Sequence, residues 1–134
     1  MTDIKAKAIS KEKTILVVED EGLLREMERS ILEGCGYRVL DAESGGIALE
    51  LWDEQGEKID LLLTDIMLPS GISGLELAKR LVLRKPHLKV IFTTGRMVRD
   101  LDREAFGKIN ARFLQKPYQQ ADLIQIVSEA LKAP

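Results

Sequence analysis

Four short apolar runs in this chain each stop on a polar or charged residue, and this repeated ending constrains the fold more than any other feature. Ile15-Leu16-Val17-Val18 runs into Glu19-Asp20, and Leu61-Leu62-Leu63-Thr64 runs into Asp65. Val90-Ile91-Phe92-Thr93 ends on Thr94, and Phe113-Leu114-Gln115 ends on Lys116-Pro117. Amphipathic stretches separate the runs, which is the pattern of a parallel sheet flanked by helices. The patterning predicts strands near 14–19, 37–41, 60–64, 89–94 and 112–115, and helices near 21–33, 45–55, 73–85, 98–107 and 119–132. Leu24, Met27, Ile31 and Leu32 form the expected core stripe of the first helix, which Gly34 and Gly36 stop. Leu75, Leu77, Ala78, Leu81 and Val82 do the same for the third, which Pro86 closes, and Leu123, Ile124, Val127 and Leu131 for the last.

Right-handed crossovers turn five such strands into a doubly wound sheet. Of the two common strand orders, 2-1-3-4-5 puts the switch point between strands one and three, and ligands of such sheets bind beyond the strand carboxyl ends there. Glu19-Asp20 and Asp65 fall at those two ends. Topology and acidic clustering therefore select the same place.

With 134 residues the chain suits a single domain with one core. Residues 1–12 read as a flexible extension or linker, and 13–134 as the domain. A formal net charge of -2 provides no global field toward nucleic acid or an anionic membrane. Tyr37 and Tyr118 are not interleaved with basic residues, so the sequence predicts no nucleic-acid binding. No apolar run approaches the ~20 residues of a membrane span, and a cytoplasmic setting is expected. The single cysteine, Cys35, reads as a small apolar filler, Trp52 as partial core and His87 as a surface residue.

Three carboxylates drawn together repel one another, and a shared proton or a hard divalent cation relieves this. Mg²⁺ takes oxygen ligands, and Met67, two residues beyond Asp65, offers a backbone carbonyl. The four strand ends then hold the parts for phosphoryl transfer, which needs positioning and charge neutralisation more than covalent help. Asp65 is the nucleophile. Lys116 offsets charge on the transferred oxygens, the Thr94 hydroxyl donates to one of them, and Gly95 leaves room. Taken singly, Asp20 reads as a helix cap, Thr94 as a β-former and Lys116-Pro117 as a surface turn. Together, and in this order, they read as one site.

Over residues 13–132 the chain resembles the receiver domain of bacterial two-component response regulators, a flavodoxin-like (βα)5 fold. The resemblance rests on Ile15-Leu16-Val17-Val18-Glu19-Asp20-Glu21, on Thr64-Asp65-Ile66-Met67-Leu68-Pro69, on Phe92-Thr93-Thr94-Gly95 and on Phe113-Leu114-Gln115-Lys116-Pro117. It implies Asp65 as phosphoacceptor, Asp20 as the main metal ligand with Glu19 beside it, and Mg²⁺ as cofactor. It further implies a histidine kinase or histidine phosphotransfer protein as donor, and Thr94 and Phe113 as a switch that reshapes the face of the fourth helix, fifth strand and fifth helix. That face is also the expected one for a homodimer. Such a domain is not an enzyme toward other substrates, although it catalyses its own phosphorylation and dephosphorylation.

Two departures stand out. The acidic pair is Glu-Asp where many members have Asp-Asp, and eight residues separate Asp65 from Gly74, one more than is common. The longer loop resembles receivers attached to hybrid histidine kinases. Met67 and Arg96, flanking the water path, include no water-positioning acid or amide, so slow self-dephosphorylation is expected. The rival readings are an aspartyl-phosphate phosphatase, which needs a second aspartate where Met67 stands, a degenerate interaction module, and a flavin carrier.

Overall fold

The computed structural model describes residues 12–107 and 109–134. The expected lead-in of residues 1–12 therefore lies, apart from Glu12, outside the described residues. Five parallel strands, β1 (Thr14–Val18), β2 (Arg38–Ala42), β3 (Ile59–Asp65), β4 (Lys89–Thr94) and β5 (Ala111–Gln115), form one sheet in the order β2-β1-β3-β4-β5. This is the doubly wound, flavodoxin-like arrangement that the alternating pattern predicts.

Among the described residues, four α-helices cover the sheet: α1 (Gly22–Gly34), α2 (Gly45–Gln55), α3 (Gly74–Arg84) and α4 (Gln120–Lys132). Side chains alternate across the strands, so the sheet divides the core in two. Leu16, Val18, Leu62, Val90 and Phe92 pack with Ala48 and Trp52 of α2 and Leu77, Ala78 and Leu81 of α3. Ile15, Val17, Leu61, Leu63 and Ile91 pack with Leu32 of α1 and Leu123, Val127 and Ala130 of α4. Ser44 and Ser73 cap α2 and α3, their hydroxyls accepting from the Ile47 and Glu76 amides at 3.2 and 3.0 Å. Gly36, with φ +96°, turns the chain out of α1 where most other residues would be strained. No helix among the described residues is long and apolar enough to cross a membrane.

Three expectations fail. The predicted helix over 98–107 is two short 3-10 turns, Val98–Asp100 and Arg103–Phe106, so the (βα)5 pattern holds four α-helices among the described residues. The cause is local. Leu101 and Phe106 are five positions apart, which fits no single helical face, and the Asp102 side chain accepts the Glu104 amide at 3.1 Å instead of leaving the backbone to continue. Gly107, at φ +58°, ends the second turn. Cys35 is exposed at the end of α1 and fills no core. In the α1 stripe, Met27 is 41 % exposed while Glu28 is 1 % exposed.

Candidate functional site

The register of the sheet brings the strand ends level. Val18 lies opposite Thr64, which sets Glu19 beside Asp65, and Thr94 lies opposite Gln115, which sets Lys116 just beyond. The Lys116 amide donates to the Thr94 carbonyl at 2.7 Å and fixes the start of the loop after β5. The Lys116–Pro117 peptide bond is cis.

From there the Lys116 ammonium donates to Asp65 Oδ2 at 2.8 Å and to Glu19 Oε1 at 2.9 Å. Three separate strands thus meet at one charged cluster. Glu19 is buried, its second oxygen accepting the Glu21 amide at 3.1 Å and its carbonyl accepting Arg25 Nη1 at 2.8 Å. Asp20 is exposed and does not cap α1, whose N-cap is Glu21. Asp65 Oδ1 accepts the Met67 amide at 3.2 Å.

Burial pushes the Glu19 carboxyl above its usual range, although bonds from Lys116 and Glu21 act against this. Burial alone would lower the Lys116 ammonium. Its hydrogen bonds and charge attraction to Asp65 and Glu19 outweigh that, and the net shift is upward. Lys116 is therefore firmly cationic at neutral pH.

One carboxylate oxygen from each of Glu19, Asp20 and Asp65 lies within 4.8 Å of the other two. The donors are hard oxygens, with no thiolate or imidazole among them, which suits Mg²⁺ better than a soft metal. Three carboxylates against one ammonium leave two negative charges, the complement of a divalent cation. The residues present therefore fit the ion.

Thr94 is buried, and its hydroxyl accepts the Arg96 amide at 3.0 Å. Gly95 is exposed, with nothing within 4 Å of where a Cβ would sit. Gly74, the first residue of α3, has no such room, since a Cβ there would stand 1.8 Å from the Asp65 carbonyl oxygen. Its amide donates to the Ile66 carbonyl at 2.8 Å and ties the end of the 66–73 loop to the base of the nucleophile. Phe113 stands apart from the carboxylates, stacked on Phe92 at 5.7 Å and edge-on to Phe106 at 5.0 Å between centroids.

Residues 15–128 match the model of the response regulator receiver domain. The chain belongs to the response regulator receiver family. Receiver domains are the phosphoacceptors of two-component signalling and bind Mg²⁺ at an acidic pocket. The receiver is 36 % identical over 121 residues to response regulator receiver protein CpdR of Brucella abortus, covering 90 % of this chain and 98 % of that one. It is 33 % identical over 128 residues to the sensor kinase CckA of the same organism, covering 96 % of this chain but 13 % of the kinase. A crystal structure of a response regulator receiver protein from Sinorhizobium medicae superposes on the receiver with a TM-score of 0.81 at 28 % identity, over 92 % of this chain and 98 % of that one. The receiver thus spans the full length of one relative and a small part of another.

The motif reading passed over two residues beside this cluster. Glu28 of α1 is buried, and the Tyr118 hydroxyl donates to its carboxylate. The spacing Leu24, Glu28, Leu32 places Glu28 in line with the apolar stripe, and that was the available signal.

Proposed function

We propose that this receiver is a phosphorylation-driven switch in which Asp65 accepts a phosphoryl group from a phosphohistidine of a histidine kinase or histidine phosphotransfer protein in the cytoplasm. An Asp65 carboxylate oxygen attacks phosphorus, the P–N bond breaks, and the imidazole nitrogen leaves with the electron pair. The observation that carries this is the Lys116 ammonium 2.8 Å from Asp65 Oδ2, bridging to Glu19. A cation so placed neutralises the nucleophile before transfer and the added oxygens afterwards.

Asp20, Asp65, Glu19 and the Met67 carbonyl would hold Mg²⁺, which when bound supplies charge neutralisation for the transferred oxygens. Thr94 and Lys116 take those oxygens, and Gly95 leaves them space. The donor docks at α1 and the loop after β5. There Leu24, Met27, Lys116, Pro117 and Tyr118 line a groove of about 410 Å³, and Leu23 beside it is 81 % exposed.

Phosphorylation adds roughly −1.5 to −2 charges at pH 7. Thr94 moves toward them, leaving its bond from the Arg96 amide, and Phe113 shifts with it. The face that changes consists of the two 3-10 turns, β5 and α4, and it is the surface for output or self-association.

Incubation with acetyl phosphate and Mg²⁺ should add the mass of one phosphoryl group to the intact protein. The gain should disappear with chelator and in Asp65→Ala, and fall at least about a hundredfold in rate in Lys116→Ala. An unmodified wild-type protein would overturn the proposal. The purified phosphoprotein should persist for minutes or longer, and loss within seconds would contradict the absence of a water-positioning side chain at Met67 and Arg96.

A further inference from the structure

Helix α1 buries two residues, and one of them is an acid. Glu28, 1 % exposed, accepts the Tyr118 hydroxyl across 90 positions of sequence. Tyr118 is the second residue after Lys116, and its ring packs against the cluster containing Leu32, Leu123 and Val127. The loop that presents Lys116 is therefore fastened to α1 by this bond. The charges bearing on Glu28 from other elements are Lys116 after β5, Glu19 after β1 and Asp65 at the end of β3. On its own helix, Arg25 and Arg29 are turned away to Asp41, the Glu19 carbonyl and Glu33. Beyond Tyr118, Glu28 thus answers mainly to the charges of the phosphorylation site.

We infer that Glu28 is a proton-holding positioning residue, which with Tyr118 seats the Lys116 loop and slows phosphoryl transfer to Asp65 when it loses its proton. The inference rests on the phosphoacceptor role proposed for Asp65. Burial drives the Glu28 carboxyl up to about 7, against the opposing pull of the Tyr118 hydrogen bond. Below that pH the group is neutral and merely braces the tyrosine. Above it, a buried negative charge faces the cluster. That charge competes with Asp65 and Glu19 for the Lys116 ammonium and repels an anionic donor. A through-space charge effect of this kind is on the order of a three- to tenfold change in rate.

The test follows phosphorylation by acetyl phosphate at saturating Mg²⁺ from about pH 6 to about pH 8, alongside a ¹³C NMR titration of the glutamate carboxyls. The wild-type rate should fall about three- to tenfold with a midpoint near 7, matched by the Glu28 resonance. Glu28→Gln, a permanently neutral isostere, should flatten the profile at the low-pH rate. Tyr118→Phe removes the bond that favours the carboxylate, so the midpoint should move upward. Superimposable wild-type and Glu28→Gln profiles would overturn the inference, as would a Glu28 resonance that titrates in the ordinary glutamate range. If Glu28→Gln does not fold, the direction of the Tyr118→Phe shift decides. A wild type that takes up no phosphoryl group at any pH overturns the underlying reading and the rate effect with it. That outcome is distinguishable, because the NMR titration reports on Glu28 without phosphorylation.

Discussion

On one side of Asp65, α1 and the loop after β5 meet through a buried acid and a tyrosine hydroxyl. On the other, the chain between β4 and β5 forms two short 3-10 turns, the first tied to β5 by the Val98 amide donating to Gln115 Oε1 at 3.3 Å and the second packed through Phe106 on Phe92 and Phe113. The first side depends on protonation, and the second depends on ring packing. Phe92 and Phe106 lie 5.1 Å apart between centroids, and the Arg103 guanidinium sits 4.5 Å from the centre of the Phe113 ring. Neither flank is a plain amphipathic helix against a sheet. A charge change at Asp65 therefore meets an electrostatic response on one side and a steric one on the other.

The sharpest way to test this contrast is to remove the ring that the turns depend on. Phe106→Ala should lower stability by about 3–5 kcal/mol in urea unfolding, by nearly the same amount at about pH 5 and about pH 8. A strongly pH-dependent loss would break the comparison.

Glu28→Gln should behave in the opposite way. The carboxyl is raised in the folded state from 4.5 to about 7, so its contribution is fully present below the unfolded value and lost as pH rises through the folded one. The neutral variant should therefore match wild type near about pH 4 and exceed it near about pH 8, by up to about 3 kcal/mol. Equal stabilities at both pH values would remove the protonation argument. The smallest effect is expected for Arg103→Ala, about 0.5–1 kcal/mol from loss of the cation–π contact. Because Arg103 does not touch the carboxylates, the initial rate of phosphorylation should be unchanged. A large change in that rate would mean the two flanks are not separable.

The sequence reveals the flanks unequally, and for physical reasons. The strands were legible because both faces of β1 and β3 are covered, which leaves runs such as Ile15–Val18 and Leu61–Leu63 without a polar interruption. The convergence of Glu19, Asp65 and Lys116 followed from the same runs, since parallel strands of similar length end level. The segment 98–107 was misread because it carries enough charge and apolarity for a helix, while the Asp102 cap and the spacing of Leu101 and Phe106 act against one. Glu28 was missed because an acid on a helix normally faces water. Its stabilising partner, Tyr118, is 90 residues away, and local periodicity contains no record of it.

The contact at Gly74 has a consequence for how such a molecule can change over time. With its amide bound to Ile66 and no space for even a methyl group against Asp65, the return point of the 66–73 segment is pinned to the reactive residue. Residues can then be added to the segment while the carboxylate stays where it was. The length of that rim is therefore uncoupled from where the acid beneath it sits.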